Sequence, residues 1–325
     1  MTGDTTGRPG WLDLNKLRAF AAVAEHEHFS RAAVALTISQ PALSAQVRDL
    51  ERYYGTPLFE RVGRGVRLTD AGRLVQSYAR RVLALTGELD DTMADLRGLR
   101  RGCLRVGAST TIGDYLLPAV LAAFRRHYPG VGIVVEIANT RQIVDRVRHG
   151  ELHLGLIGEP LDDADLDVEP YRDDALVLVV PPAHALAGAT VSPQALSAEV
   201  LIARERGSAT RDVTEQALAT AGVRMEIGME VGSTEAVKGA VAAGLGIAFV
   251  SACAVDHEVS AGRLAQAWVS GLDMRRQFQI ARQHGRRLTR AERAFMSLLR
   301  GEDDNSDGHG GPANDAAHDV IRRLP

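Results

Sequence analysis

Two sets of side chains in this sequence are suited to chemistry, and they differ in kind. The first is Ser39-Gln40-Pro41-Ala42-Leu43-Ser44-Ala45-Gln46-Val47-Arg48, followed by Arg61, Arg64 and Arg67. Leu43, Val47 and Leu50 recur at helical spacing, so Gln40, Ser44 and Arg48 share the opposite, outer face. Short polar side chains near a helix N-terminus can approach base edges in a major groove. A glutamine can pair with adenine through two hydrogen bonds, and a serine can donate or accept. Arginines clustered between Arg61 and Arg67 are suited to phosphate. The second set sits where short apolar runs end: Ser109-Thr110, Asn139-Thr140, Glu159, Gly207-Ser208-Ala209-Thr210-Arg211 and Thr234. Hydroxyls and free N–H groups at the starts of helices suit anions, and the planar fork of Arg211, or of Arg204, can hold a carboxylate or phosphate.

The first set must be carried by a compact helical unit over residues 12–69. Leu14, Leu17, Phe20 and Ala24 mark the inner face of a first helix. Ser30 is expected to cap a second, Arg31 to Ala35, and Ser39 a third, with Pro41 in its first turn, where a missing N–H costs little. Gly55 ends the run. Phe59 to Thr69 reads as two short strands joined by a glycine-containing turn. The pattern fits a winged helix-turn-helix, with the helix-turn-helix over 29–48. It equally fits a helical bundle with a solvated basic loop. Residues 70–101 read as one long helix, whose Val75, Tyr78, Val82, Leu85, Leu89 and Leu96 form an apolar seam of coiled-coil spacing.

The second set belongs to residues 102–290, where short strands alternate with helices in an α/β pattern. Strands are expected at 104–108, 131–138, 154–157, 176–180, 201–203 and 244–250, the run at 176–180 opening a second lobe. Ligands in open α/β sheets bind beyond the carboxyl ends of strands, which is where the hydroxyl residues lie. Each also has a plain reading as a helix cap. The segment 301–325 is rich in Gly, Asp, Asn and His and reads as disordered.

Composition narrows the classes. The chain has 325 residues, 45% hydrophobic, with a net charge of −3. That sum disfavours a nucleic-acid partner, but the basic residues Lys16, Arg18, Arg31, Arg48, Arg52, Arg61, Arg64 and Arg67 outweigh the acidic ones between Leu12 and Leu68. A local cluster can bind phosphate on an acidic molecule. The two cysteines, Cys103 and Cys253, make no disulfide framework and fit a reducing cytoplasm. No apolar run reaches the ~20 residues of a membrane span, and residues 1–10 lack a signal-peptide core. The Gly-x-Ser-x-Gly elbow of a hydrolase, a phosphate loop and a metal-ligand cluster are all missing from the sequence, so no catalytic residue, metal or cofactor is expected.

Residues 12–69 closely resemble the DNA-binding domain of LysR-type transcriptional regulators. The resemblance is carried by Leu17-Arg18-Ala19-Phe20, Phe29-Ser30-Arg31-Ala32-Ala33, Ser39 to Val47, Leu50-Glu51, Gly55, Leu58-Phe59-Glu60-Arg61 and Leu68-Thr69-Asp70-Ala71-Gly72. It implies that Gln40, Pro41 and Ser44 approach bases while Arg31 and the wing arginines contact the backbone. Ala45 stands where many relatives carry a basic residue. The resemblance further implies pairing through the long helix, hence a homodimer or homotetramer on an approximately palindromic operator. Residues 102–290 resemble the family's regulatory domain, a two-lobed α/β fold like periplasmic solute-binding proteins. Gly207 to Arg211 is similar to the branch that governs carbon fixation and sulfur assimilation, with Ala209 where a glycine is often found. The expected partners are operator DNA, a small anionic effector and RNA polymerase, with no membrane. A transport solute-binding protein and a thiol redox-sensing regulator are the rival readings. The first leaves residues 12–98 unexplained, and the second finds no activating neighbours around either cysteine.

Overall fold

The computed structural model describes residues 12–95, 103–159, 161 and 163–301. Leu96 of the expected seam and the expected tail beyond Gly301 lie outside the described residues. The chain forms two compact units, the first reaching to Asp90 and including His149–Glu151, the second holding the remainder.

The first unit contains α1 (Leu14–His26), α2 (Phe29–Ala35), α3 (Gln40–Tyr54), the hairpin β1 (Phe59–Val62) and β2 (Gly65–Leu68), and α4 (Asp70–Asp95). Its core holds Leu17, Phe20, Val23, Leu43, Val47, Leu50 and Leu58, all buried. The Phe59 ring packs 5.2 Å from Phe20 and 5.9 Å from Phe29. Leu14 is 41% exposed, because it begins the helix one turn outside that core. Ser39 caps α3 through Ala42 N–H at 3.3 Å, and Gly55 ends it in the left-handed region at φ 68°. The expected cap of α2 is corrected. His28 caps the helix, its Nδ1 accepting from Ser30 N–H at 3.2 Å, so α2 starts at Phe29. The Ser30 hydroxyl is turned to Gln40 instead.

Three backbone anchors aim the hairpin. Glu51 Oε1 accepts from Leu58 N–H at 2.8 Å, and the Glu27 carbonyl accepts from Val66 N–H at 2.9 Å. Thr69 Oγ1 donates to the Pro57 carbonyl and accepts from Gly72 N–H. A Cβ on Gly72 would stand 2.1 Å from the Leu58 carbonyl oxygen, so only glycine fits. The β1–β2 turn has a positive φ at Gly63 alone (57°), the pattern of a type II′ hairpin.

α4 carries two apolar stripes, and the expected seam mixes them. Val75 and Val82, with Ala71, Ala79 and Leu83, pack onto Leu17, Phe20, Leu50 and Leu58. Tyr78, Leu85 and Leu89 lie on another face with Leu74 and Met93, all exposed.

The second unit contains β3 (Cys103–Ser109), α5 (Leu117–His127), β4 (Gly132–Ala138), α6 (Thr140–Arg148), β5 (Leu154–Ile157), β6 (Leu166–Val180), β7 (Thr190–Val191), β8 (Val200–Arg204), α7 (Ala209–Thr220), β9 (Glu226–Val231), α8 (Thr234–Ala242), β10 (Ala248–Ser251), α9 (Asp256–Ser260), β11 (Ala265–Val269), β12 (Arg275–Gln283) and α10 (Arg290–Arg300). The main sheet runs β4-β3-β5-β12-β6-β11-β7, with β10 also on β6. β3, β4 and β5 are parallel; β6 and β12 are antiparallel and pair from Ala175/Arg275 to Leu166/Gln283. The first lobe is built on β3–β5 and the second on the Leu176–Val180 end of β6 with β10 and β11. β6 and β12 are therefore the strands both lobes share.

Two expectations change here. The strand expected at 176–180 is the end of a 15-residue strand. Its first part, Leu166 to Ala175, is charged and contains Pro170, which the β12 pairing accommodates at a bulge beside Phe278/Gln279. The domain end expected at 290 falls one helix short. α10 puts Ala291, Phe295 and Leu299 into the first lobe's core. A capping box of Thr289 and Glu292 starts that helix. Burial pushes the Glu292 carboxyl up, but His153 and Arg286 outweigh it and hold it at about 2.

Candidate functional site

On the first unit, a groove of about 410 Å³ lies between α2, α3 and the hairpin, lined by His28, Ser30, Gln40, Ser44, Arg48, Arg61 and Arg64 among others. The buried stripe Leu43-Val47-Leu50 forces Gln40, Pro41 and Arg48 outward, where they are exposed, with Ser44 half-buried. Ser39 spends its side chain on the cap. Arg31, Arg48, Arg61 and Arg64 are exposed and make no ion pair among the described residues. Arg67 differs: its Nε and Nη2 donate to Glu60 Oε1 at 2.9 and 2.8 Å across the hairpin. The arrangement offers hydrogen-bonding side chains in a concave strip flanked by unpaired positive charge.

On the second unit, the expected polar residues converge where β3, β4 and β5 end, but they divide into free and committed groups. Among the described residues, Ser109 Oγ and Thr140 Oγ1 are buried without a hydrogen-bond partner. Ser208 is buried, and its side chain does not cap α7. Thr110 is half-buried in the first turn of the helix after β3, which passes into a π-turn at Ile112–Leu116. Such turns inside helices are frequent at functional sites. Gly207, at φ 89°, offers its carbonyl to Arg141 N–H at 3.2 Å, joining the lobes on one rim. Tyr115 hydroxyl donates to Glu235 on the other.

Asn139 instead caps α6, exchanging bonds with Gln142 at 3.0 and 3.3 Å. Thr234 Oγ1 accepts from Arg204 Nη1 at 3.0 Å. Arg211, expected as the anion fork, is corrected. It is committed inside the second lobe to Glu215 (2.7 Å), Glu230 and the Arg204 carbonyl. Its buried position among three acceptors outcompetes any approach to the cleft.

The arginine that sequence reasoning missed is Arg276 on β12. Its side chain is 2% exposed and donates through Nε to Asp174 at 2.7 Å and through Nη1 to Thr210 Oγ1 at 3.0 Å. Its Nη2 is buried and unpaired among the described residues. Thr210 is thus a support for Arg276. A Cβ on Gly158 would lie 3.6 Å from both Arg276 Nη1 and Thr140 Oγ1, and 2.7 Å from the Ala209 methyl. These groups therefore surround one point, and Ala209 fits because position 158 is glycine. No local pattern flags Arg276, since it lies in a strand beside Arg275, which is exposed and paired with Asp273.

Glu159 lies next to Gly158 and lines a cavity with Arg276. Burial, then the Asp212 carboxylate, push its pKa up to about 7, and Arg276 offsets part of this. Burial also pushes the Cys253 thiol up, away from the thiolate a redox sensor needs.

The comparisons with known proteins bear on both units. Residues 14–73 match the family described as "Bacterial regulatory helix-turn-helix protein, lysR family", and residues 97–304 match "LysR substrate binding domain". The chain belongs to the LysR family of transcriptional regulators. This LysR-family regulator is 36% identical over 292 residues to the RuBisCO operon transcriptional regulator of Allochromatium vinosum, covering 90% of this chain and 96% of that one. Its regulatory domain is similar to that of CcmR from Synechocystis, solved in complex with 2-PG. The TM-score is 0.58 at 29% identity, covering 63% of this chain and 99% of that one. Full-length CbnR with its target DNA shares the fold, with TM-score 0.63 at 24% identity over 89% of this chain and 99% of that one. The regulator therefore joins a helix-turn-helix DNA-binding domain to an effector-binding α/β domain, and its relatives are regulators, not enzymes. Among the described residues, no helix is long and apolar enough to cross a membrane.

Proposed function

We propose that this regulator controls a carbon-fixation operon and that its cleft binds a small phosphate- or carboxylate-bearing metabolite. The observation that carries the effector class is the trio of buried, unpaired polar atoms: Ser109 Oγ, Thr140 Oγ1 and Arg276 Nη2. Leaving buried polar atoms unpaired costs about 1–3 kcal/mol each, a cost an anion removes by accepting from all three. The branch assignment is supported by the Allochromatium relative and by CcmR, whose regulatory domain takes 2-PG, that is, 2-phosphoglycolate. Ser208 and Thr110 complete the proposed effector set, with Glu159 at its edge.

The proposed DNA-reading surface is Gln40, Pro41 and Ser44 toward bases, with Arg31, Arg48, Arg61 and Arg64 on phosphates and Arg67 held back by Glu60. The exposed stripe of α4 pairs two copies, so two reading heads meet two half-sites. Effector closure between the lobes changes how paired heads are spaced in a tetramer, and with it DNA bending and contact with RNA polymerase in the cytoplasm. A ligand achieves this only by binding one arrangement better than the other.

Calorimetric titration of the full-length protein with 2-phosphoglycolate tests the effector reading. Saturable binding is expected, and the Ser109→Ala/Thr140→Val double variant weakens it at least tenfold. Equal affinity in the double variant removes the cleft assignment. No heat with 2-phosphoglycolate, inorganic phosphate or other phosphorylated acids removes the anion class.

A further inference from the structure

We propose that Ser30 is a positioning residue for DNA recognition. It holds the Gln40 carboxamide in its reading rotamer and so sets how sharply one base pair in each half-site is discriminated. This rests on the reading that Gln40 reaches base edges.

Ser30 Oγ donates to Gln40 Oε1 at 2.8 Å, linking the first turn of α2 to the first residue of α3. Both side chains line the groove between α2, α3 and the hairpin. A serine in the first turn of a helix ordinarily spends its hydroxyl on a nearby backbone N–H. Here that duty is taken by His28, whose Nδ1 accepts from Ser30's own N–H at 3.2 Å. The Ser30 hydroxyl is thereby released for a contact ten residues away. That contact tethers a side chain with three rotatable bonds before DNA arrives. The Gln40 Nε2 is left for the base.

The chemistry follows from the freedom of glutamine. An untethered carboxamide samples many rotamers and can present either its oxygen or its nitrogen to a base edge. It therefore satisfies several bases poorly instead of one well. Tethering one end fixes the position of the other, so serving a wrong base requires breaking the tether and reordering the side chain, a cost worth about threefold to tenfold. Phosphate contacts are untouched, because Ser30 carries no charge and its hydroxyl bonds Gln40 and none of the arginines assigned to phosphate.

The test is selection of the full-length protein against a library of DNA duplexes randomised across two inverted half-sites, with sequencing of the bound fraction. The α2 cap is His28, so Ser30→Ala leaves the helix intact, and a circular dichroism melt checks this. Gln40→Ala is expected to erase preference at one position per half-site. Ser30→Ala is expected to reduce preference at that same position by about threefold to tenfold, with the other positions and the salt dependence unchanged. Ser30→Thr, which keeps the hydroxyl, is expected to restore it. If Gln40→Ala erases the preference and Ser30→Ala leaves it intact, the positioning role fails and the reading of Gln40 stands. If Gln40→Ala changes nothing, the reading itself fails and the positioning role falls with it. A uniform loss at every position in Ser30→Ala assigns Ser30 to the DNA backbone and also overturns the proposal.

Discussion

The groove on the first unit and the cleft of the second, the two sites proposed above for charged partners, hold their polar groups in opposite ways. In the groove, Arg31, Arg48, Arg61 and Arg64 stand in water without ion pairs among the described residues. Their hydration is retained until DNA arrives, so holding them ready costs the fold little. In the cleft, Ser109, Thr140 and Arg276 are buried and incompletely bonded. That readiness is carried by the fold as lost stability. A surface that meets a polyanion can be assembled from one short segment. A site for a small molecule needs walls, and the walls come from β3, α6, α7 and β12. The difference is that mutations in the groove act on binding alone, whereas mutations in the cleft act on binding and folding together.

The strongest challenge to that contrast is Arg276→Met. It strands the Asp174 carboxylate, 5% exposed, without its ion-pair partner and with only the Ser251 hydroxyl donating to it. The expected loss is about 3–5 kcal/mol in urea denaturation, together with loss of anion binding. Arg64→Met is expected to leave the denaturation midpoint unchanged. Comparable losses for the two would end the distinction.

Gly72→Ala probes whether the first unit has any position as intolerant as the cleft. The added methyl collides with the Leu58 carbonyl, a backbone atom. A destabilisation of about 1–3 kcal/mol is expected from overpacking at this junction, read from a thermal melt. A wild-type melt would mean that the hairpin and α4 are not locked as described.

Thr140→Val sharpens the comparison most cleanly, because it predicts opposite signs. Removing a hydroxyl that has no partner should raise the stability of the ligand-free protein by about 1 kcal/mol and lower anion affinity several-fold. A variant that loses stability would show that the hydroxyl was bonded all along.

Smaller effects are expected in the groove. Arg64→Ala should weaken binding to every sequence and reduce the salt slope by about 1. Arg67→Ala should do less, because Glu60 already neutralises it. Filter-binding titrations across salt concentrations separate the two, and equal slopes would dismiss the role assigned to Glu60.

A last test concerns pH. The Glu159 carboxyl is raised from its ordinary value to about 7, first by burial and then by Asp212. Its neutral form is favoured in the folded state. The stability it contributes is therefore full below the ordinary carboxylate range and is lost as pH rises through about 7. Glu159→Gln should match wild type below the ordinary carboxylate range, exceed it increasingly as pH rises from there to about 7, and keep a constant advantage above that. Melting temperatures that stay parallel with pH would remove Glu159 from the buried edge of the cleft.

The reading helix is legible in the sequence because its information is local. Ser39, Pro41 and Gly55 mark the ends of α3, and the spacing of Leu43, Val47 and Leu50 decides which side chains face out. The same logic fails at Ser30, where a serine beside a helix start reads as a cap and only the position of His28 shows otherwise. On α4 the sequence shows that apolar residues recur. It does not show that Val75 and Val82 serve the unit's own core while Leu74, Tyr78, Leu85, Leu89 and Met93 remain exposed. A helix bearing two stripes has a single periodicity, and packing assigns each stripe its neighbour.

In the regulatory domain the sequence by itself determined the alternation of strands and helices and the concentration of hydroxyls at strand ends. Periodicity and capping chemistry encode both within a few residues. Only the tertiary structure decided which of those groups are free. It retired Arg211 into ion pairs with Glu215 and Glu230, made Asn139 a cap, and brought forward Arg276 from a strand 66 residues beyond Thr210. The physical reason is that an arginine's role is set by which acceptors surround its guanidinium. In a two-lobed domain those acceptors come from segments that only the fold brings together.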